Sequence, residues 1–328
     1  MMRTMMRYSF PLLRRLPVAL APFAVLVGVG MGLAADASSQ SPARQQQSRP
    51  VRHAFFVAGP SFTGIIDEHG ETQWSAPKAR ARDGWVLKNG NVLIVWAKEA
   101  IEFGADKQPV WSYQLHKPNR ELGTVQRLAN GHTLVTELGP APRLREVTQK
   151  GDIRVEVVLQ PDTDNAHMQT RMARKLPNGD YLVPHLLAHA VKRYQPDGKV
   201  VEVIRTDRES LGGRKVENWP FTAIRLANGN TVIGCTHGNK VIEVDKLGDI
   251  VWSVTNEDLG GIIHDACGVQ RLPNGNTVIA SYAAKTGAKL IEVNRDKQVV
   301  WSYDGPHRVH HFQVLTTNGE PLPGVAMR

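Results

Sequence analysis

Residues 242–254 read IEVDKLGDIVWSV and residues 290–303 read LIEVNRDKQVVWSY, so the chain contains two versions of one unit. In each version a β-rich run precedes a turn, and a second β-rich run carries a tryptophan, which is the pattern of a β-hairpin. Aligned copies of the unit end at six positions, namely Trp74, Trp111, Val155, Glu202, Trp252 and Trp301. The chain is therefore an array of repeats, and the repeat determines the fold class.

A second landmark, an Asn-Gly pair, alternates with this unit. It lies between β-branched and leucine residues in AIRLANGNTVIGC (223–235) and VQRLPNGNTVIASY (269–282). The pairs are 41 to 50 residues apart and begin at Asn89, Asn130, Asn178, Asn228, Asn274 and Asn318. Asn-Gly favours the two-residue type I′ turn of a hairpin. Two hairpins in each period make four strands, which is one blade of a β-propeller.

Each end of the repeat region supplies the part of a blade that the other end lacks. The last Asn-Gly pair has no tryptophan unit after it, and the first tryptophan unit has no Asn-Gly pair before it. We expect residues 310–317 to form the inner strand, and residues 53–76 the outer three strands, of one shared blade, which leaves no open sheet edge. The prediction is an all-β, six-bladed β-propeller of four-stranded antiparallel blades over residues 51–328.

Residues that recur in the repeat are expected to have structural roles. The four aligned tryptophans are predicted to pack between neighbouring sheets. The glutamates of the IEV-like runs alternate with apolar residues and either face solvent or make polar contacts between blades; they are Glu102, Glu146, Glu243 and Glu292.

Residues 1–37 are predicted to be a signal peptide. Four arginines precede an uncharged apolar stretch over residues 16–34, and Ala35-Asp36-Ala37 fits a cleavage site. The alternative is an uncleaved membrane anchor, which is the only membrane contact that we expect. Residues 38–50 form a polar tether. Export implies a periplasmic or secreted protein.

The formal net charge of +9 at pH 7 is largely a property of these leading residues. Residues 1–37 hold four arginines and one aspartate, and the tether holds Arg44 and Arg49, so +4 remains for residues 51–328. No basic stripe is left that would favour nucleic acid as a partner.

The unit IEVD-x-x-G-x-x-x-W resembles the repeat of bacterial PQQ-like, or quinoprotein-type, β-propellers over about residues 52–320. The resemblance implies the propeller fold. Enzymes of that group that use pyrroloquinoline quinone (PQQ) have eight blades and often adjacent cysteines, whereas Cys235 and Cys267 are far apart here. These differences argue against PQQ, and the sequence identifies no other cofactor.

A second resemblance is to bacterial arylsulfotransferases, which are exported six-bladed propellers whose histidines transfer a sulfuryl group between phenols. HHFQVLTTNG, at residues 310–319, and HDACGVQRLPNGNT, at residues 264–277, place histidines ahead of an inner strand and an Asn-Gly pair, as in that family. The resemblance implies catalytic roles for His264, His310 and His311. Phe312 departs from it, because the family favours an acid after the histidine pair.

The phase of the hairpins predicts a histidine-rich face. If Asn-Gly turns lie at one face of the ring, the opposite face holds the residues before each inner strand and after each second strand, where propellers commonly bind ligands. The residues expected to contact a ligand there are His167, His185, Trp219, His237 and His307, besides the three catalytic candidates. With His116 and His189, nine of the 12 histidines fall on this face.

Several chemical roles stay open for these histidines. They could bind a metal that the spacing does not identify, act as a general base, contact an anion, or be hydrogen-bonded loop residues. PDTDN, at residues 161–165, resembles the start of a calcium loop but lacks its glycine and closing glutamate. Cys235 and Cys267 either form a disulfide or are two unpaired thiols.

The leading functional hypothesis is a non-catalytic module that binds an unidentified small molecule or protein at the histidine-rich face. The alternatives are an arylsulfotransferase-like or other histidine-dependent enzyme, and a metal-dependent lyase or hydrolase.

Overall fold

The computed structural model describes residues 50–328. These residues form six antiparallel sheets in a ring, which confirms the all-β, six-bladed propeller. The predicted signal peptide lies outside the described residues, as does all but the last residue of the tether. No helix among residues 50–328 is long and apolar enough to cross a membrane.

The strands are numbered in chain order. The first eleven are β1 (His53–Ala58), β2 (Thr63–Ile66), β3 (Thr72–Ser75), β4 (Asp83–Val86), β5 (Val92–Val95), β6 (Glu99–Phe103), β7 (Pro109–Gln114), β8 (Glu121–Arg127), β9 (Thr133–Leu138), β10 (Arg143–Val147) and β11 (Ile153–Val158). The next eight are β12 (Arg174–Lys175), β13 (Tyr181–His185), β14 (Ala190–Tyr194), β15 (Val200–Arg205), β16 (Asn218–Arg225), β17 (Thr231–His237), β18 (Lys240–Val244) and β19 (Ile250–Thr255). The last six are β20 (Ala266–Arg271), β21 (Thr277–Ser281), β22 (Leu290–Val293), β23 (Val299–Tyr303), β24 (His311–Thr317) and β25 (Glu320–Pro321). Three short 3₁₀ helices lie in loops, at Ala166–Met168, Glu209–Leu211 and Arg214–Val216.

Each blade takes four consecutive strands, with one exception. Blades 2 to 6 are β4–β7, β8–β11, β12–β15, β16–β19 and β20–β23. Blade 1 combines β1–β3 with β24, and β25 adds a short fifth strand. β24 pairs antiparallel with β1, from His311 opposite Ala58 to Thr317 opposite His53. The predicted closure of the ring by one shared blade is therefore confirmed.

The Asn-Gly turns differ from the type I′ prediction in all but the closing copy. In the first copy, the N–H of Gly90 donates to the carbonyl of Leu87 (2.9 Å) and the N–H of Leu87 to that of Asn91 (2.8 Å), which makes a three-residue loop. Gly90 has a φ of +84°, whereas Asn89 stays in the ordinary region. This is a type I turn followed by a left-handed glycine. Only Asn318 joins its glycine at positive φ, at +52°.

The repeated glutamates make contacts between blades, one of the two roles that the sequence left open. All four are buried, and each accepts from a basic side chain of the next blade. Glu243, for example, contacts Arg271 at 3.0 Å, and Glu292 contacts His53 at 2.7 Å. The tryptophans pack over the same junctions, as predicted: Trp252 lies under the Arg271 guanidinium, and Trp301 meets the His53 ring edge-on.

Candidate functional site

A small cavity of about 130 Å³ lies at the histidine-rich face, where loops of blades 4, 5, 6 and 1 converge. We call it the channel pocket. Four residues that the sequence analysis placed on this face line it, namely His167, Trp219, His237 and His310. His167 and His310 precede inner strands, Trp219 lies near the start of the inner strand β16, and His237 ends the second strand β17. The other candidates lie elsewhere.

Aromatic rings form much of the pocket wall. Trp219 stacks on His237 with ring centroids 4.0 Å apart. The His310 ring is held between two others, since it meets Phe221 edge-on at 4.7 Å and Tyr282 edge-on at 5.0 Å. Such a wall offers a flat apolar ring several favourable stacking and edge contacts.

His310 is partly exposed and lines the pocket. Burial lowers the pKa of its imidazole to about 3, and the positive charges of Arg171 and Arg82 lower it further. The ring is therefore neutral at physiological pH, so it can donate one hydrogen bond and accept another. A base with so low a pKa accepts protons weakly near pH 7.

Arg171 also lines the pocket, and its side chain is only 2% exposed. Its Nη1 donates to the carbonyl of Thr170 at 2.7 Å, and its Nη2 donates to the carbonyl of His167. Burial lowers the pKa of the guanidinium to about 10, and the charge of Arg82 acts in the same direction. Arg171 therefore still carries a positive charge at neutral pH.

Arg82 and Glu121 form an ion pair near this arginine. Arg82 Nη2 donates to Glu121 Oε2 at 2.7 Å, and the His167 ring lies 3.4 Å from Glu121 Oε1. Burial raises the pKa of Glu121, but hydrogen bonds from His167 and Arg82 outweigh this effect and hold it at about 2. Glu121 is therefore ionised and already has its own partners.

The rim of the pocket has a strained backbone. Four non-glycine residues there adopt positive φ angles of 50–56°, namely Glu217, His237, Asn239 and Asp265. Side chains hold this conformation, because the His237 N–H donates to Asp265 Oδ1 at 3.1 Å and the Asp265 N–H to Asn239 Oδ1 at 2.7 Å. Residues kept in such conformations cluster at functional sites.

Three other candidates of the sequence analysis lie outside the pocket lining. His264 is exposed, and its backbone N–H donates to Ser281 Oγ at 2.8 Å. The His307 ring stacks on Phe62 at 4.1 Å. His185 is fully buried with Nε2 2.8 Å from the Tyr194 hydroxyl, and burial lowers its pKa to about 3.

His311, the last of the three proposed catalytic histidines, belongs to an ionic cluster in the channel. Its Nε2 lies 3.3 Å from Asp83 Oδ1, and burial holds its pKa well below the usual value. Asp83 Oδ2 accepts from Arg174 Nη1 at 2.9 Å, and Asp83 Oδ1 lies 3.5 Å from Arg328 Nη1. Of the three proposed catalytic histidines, only His310 lines the channel pocket.

The segment around Arg328 enters the ring from the chain after β25. The Arg271 N–H donates to the Met327 carbonyl at 3.0 Å, and Leu322, Ala326 and Met327 each pack on a different hydrophobic cluster. The Arg328 guanidinium lies 3.7 Å from the centre of the Trp85 ring. This segment occupies the channel beside Asp83, and no sequence pattern indicated it.

The two cysteines are free and buried, which leaves the unpaired alternative. Burial raises the pKa of both thiols to about 12, so neither is a nucleophile at neutral pH. Cys267 lines the channel pocket. Among residues 50–328 no group of three or more His, Cys, Asp or Glu side chains is arranged to hold a metal ion.

The suspected calcium loop is a proline-lined cavity of about 390 Å³ that includes Asp162 and Asp164. Lys192 Nζ lies 3.1 Å from Asp162 Oδ2, so an ammonium group occupies the position that a cation would need. This contact adds to the missing glycine and glutamate of the motif as an argument against calcium, and residues 50–328 hold no group of three or more His, Cys, Asp or Glu side chains arranged for a metal ion.

Comparisons with known proteins support the fold and identify the family. The model of the Mal s 1 allergenic protein-like family matches residues 98–261, which is half of the chain. The chain belongs to the Mal s 1-like family. The quinoprotein-type repeat suggested by the sequence is not the family that matches. No curated protein sequence matches this Mal s 1-like chain.

Solved structures match the Mal s 1-like chain at low sequence identity. A protein of unknown function from Bacteroides caccae superposes with a TM-score of 0.70 and 20% identity, over 83% of this chain and all of that one. A virginiamycin B lyase from Staphylococcus aureus gives 0.53 and 15%, over 75% and 85% of the two chains. A streptogramin B lyase gives 0.55 and 14%, over 79% and 85%. At these identities the likeness shows the fold alone.

Proposed function

We propose that this Mal s 1-like propeller is an exported binding module whose ligand occupies the channel pocket. The observation that carries the proposal is the wall of Trp219, Phe221, Tyr282 and His310, which three blades contribute to one cavity. An apolar, aromatic cavity with a few polar groups is the usual form of a small-molecule site.

The size of the pocket limits the ligand. Drug-sized sites measure roughly 300–1,000 Å³, whereas the channel pocket measures about 130 Å³. A cavity of roughly 150 Å³ holds a benzene molecule. The pocket therefore fits one six-membered ring, either a small molecule or the aromatic end of a larger one.

Paired tryptophan variants in one blade test the proposal. Trp219 and Trp252 both lie in blade 5 and are partly exposed, but only Trp219 lines the pocket. We expect saturation-transfer NMR to detect phenol or benzoate bound to the wild type. Trp219→Leu should weaken binding at least about tenfold, because aromatic residues that line a binding pocket carry much of the binding energy. Trp252→Leu should bind as the wild type does.

Two results would contradict the binding module. One is the absence of signal for every single-ring probe with the wild type. The other is an equal loss of binding in the Trp219 and Trp252 variants, since that result would place the probes outside the channel pocket. Circular dichroism of each variant confirms that the propeller is intact.

A histidine-dependent transferase is the alternative function, and one observation favours it. Neutral His310 and cationic Arg171 line the same pocket, and this pair could provide a nucleophile and a stabilising charge for a sulfuryl group. Turnover of 4-nitrophenyl sulfate with phenol as acceptor tests the activity. His310→Ala should abolish turnover, and His264→Ala should retain it, because His264 is outside the pocket lining. Absence of wild-type turnover removes this alternative.

Export is part of the proposal and rests on the sequence of residues 1–37. Intact-mass analysis of protein produced in a bacterium with a periplasm should give a mature chain that begins near Ser38. A full-length chain that stays in the membrane fraction would instead support the uncleaved anchor.

A further inference from the structure

Arg171 differs from the other buried arginines of the described chain in having no carboxylate partner. Four of the five pair with an acid: Arg145 with Glu156, Arg174 and Arg328 with Asp83, and Arg271 with Glu243. No Asp or Glu oxygen within residues 50–328 lies within 4.0 Å of the Arg171 guanidinium. A buried charge is costly unless a counter-charge and hydrogen bonds accompany it.

The groups around Arg171 do not provide that counter-charge. Glu121 is the carboxylate that acts on it, and it is already bound by Arg82 and His167. Arg82 adds a second positive charge nearby. The cluster of Arg171, Arg82 and Glu121 therefore holds one uncompensated positive charge beside the pocket.

The remaining acid in the pocket lining does not offset this charge. Asp265 is partly exposed, and its Oδ1 accepts from the His237 backbone N–H. It is absent from the groups that shift the pKa of Arg171. Arg308 lies over the Tyr282 ring at 4.4 Å and adds further positive charge on that side.

Arg171 has hydrogen-bonding capacity to offer a ligand. A guanidinium has five N–H donors in a planar fork. Within residues 50–328, the side chain makes two hydrogen bonds, to the carbonyls of Thr170 and His167. Oxyanions match this fork, and charge-assisted bonds to them are the stronger kind.

We propose that the channel pocket binds a singly charged organic oxyanion with one aromatic ring, whose oxygens accept hydrogen bonds from Arg171 while the ring contacts Trp219, Phe221 and Tyr282. This inference rests on the proposed binding function and names its ligand class. A carboxylate and a sulfate ester share the required chemistry. The ligand supplies the counter-charge that the chain itself lacks.

The wild-type protein tests the charge requirement. Isothermal titration at pH 7.5 and constant ionic strength compares benzoate, phenyl sulfate, the neutral benzamide and inorganic sulfate. We expect one or both aromatic anions to bind at least about tenfold more tightly than benzamide, because the neutral compound leaves Arg171 without a counter-charge. Inorganic sulfate should bind more weakly than phenyl sulfate, because it has no ring.

Variants then test the residue. Arg171→Met should reduce the affinity for the anions to that for benzamide. Arg154→Met is the control, because Arg154 is an exposed arginine on an outer strand, and it should change neither affinity. Arg171→Met should also melt no lower than the wild type, since it removes an uncompensated buried charge. If Arg171→Met does not fold, Arg171→Lys replaces it as the test of the residue, and the preference of the wild type for anions over benzamide still tests the charge requirement.

The outcomes separate the inference from the proposed function. Equal binding of benzoate, phenyl sulfate and benzamide overturns the anion inference and leaves the binding module intact. An unchanged preference for the anions in Arg171→Met assigns the charge to another residue and also overturns it. Absence of binding for every compound with a ring contradicts the proposed function itself.

Discussion

Replacement of Asp83 with alanine removes the only carboxylate of the described chain that lies within 4.0 Å of two buried arginines in the channel. Asp83 is fully buried, and Arg174 and Arg328 are 6% and 2% exposed. Its oxygens also accept the backbone N–H groups of Gly84 at 2.9 Å and Val125 at 3.2 Å. The variant therefore leaves two guanidinium groups buried together without a counter-charge from this side chain.

The expected loss of stability follows from these contacts. Removing one partner of a buried ion pair costs about 3–5 kcal/mol. Each lost hydrogen bond adds about 1 kcal/mol, but contributions from groups in contact are not additive. We expect the free energy of unfolding to fall by about 5 kcal/mol. At roughly 2 °C per kcal/mol for a domain of this size, the Tm should fall by about 10 °C.

Urea titration and calorimetry measure the effect. Asp152→Ala is the control, because Asp152 forms an exposed pair with Arg154 at 3.3 Å, and it should cost less than about 1 kcal/mol. Combining Asp83→Ala with Arg328→Met should recover at least about 1 kcal/mol, because one of the two repelling charges is gone. A loss below about 1 kcal/mol for Asp83→Ala, or no recovery in the double variant, would refute the reasoning.

Three further predictions concern single sites. Lys107 has a φ of +62° at a turn position where four of the other five repeats have glycine. Lys107→Gly should raise the free energy of unfolding by about 0.5–1 kcal/mol in urea titration, whereas Lys88→Gly should not. Cys235 and Cys267 should not react with 5,5′-dithiobis(2-nitrobenzoate) in the native protein at pH 8 and should both react in 6 M guanidinium, because burial raises their pKa to about 12; a fast native reaction contradicts this. Because the pKa of Glu121 is lowered to about 2, its contribution to stability is complete above about pH 4.5 and is lost as the pH falls from there towards 2. The Tm of Glu121→Gln should therefore fall less steeply with decreasing pH over that range than the Tm of the wild type.

The architecture could be predicted because a few residues recur at equivalent positions in the repeat and mark its strands and turns. An Asn-Gly pair marks every blade, an aligned tryptophan marks four of the six, and the unmatched units at the two ends predict the shared blade. The hairpin phase also placed Trp219 and His310 on the face where the pocket lies. Turn type was predicted less well, since Asn-Gly is compatible with a type I turn followed by a left-handed glycine.

The chemistry of the pocket could not be predicted in the same way. Arg171 is one of 40 basic residues, and nothing local distinguishes it from an arginine that pairs with an acid. Arg171 lacks a carboxylate partner because Glu121 pairs with Arg82 instead. Arg82 and Glu121 are 39 positions apart, so no local sequence pattern shows this contact. His310 and His311 have different surroundings for a simpler reason. His310 precedes β24, whereas His311 is the first residue of β24 and points into the ionic cluster.

The pairing of β1 with β24 has a consequence for the rate of folding. The His53 ring and the Thr316 carbonyl that it meets are separated by 263 positions, whereas the other sheets form from consecutive strands. Each doubling of a closed loop costs about 0.6 kcal/mol of chain entropy, so this pairing costs about 3–4 kcal/mol more than a hairpin. Non-local pairings form slowly. The blades should therefore assemble first as an open arc, and joining its ends should limit the rate of refolding.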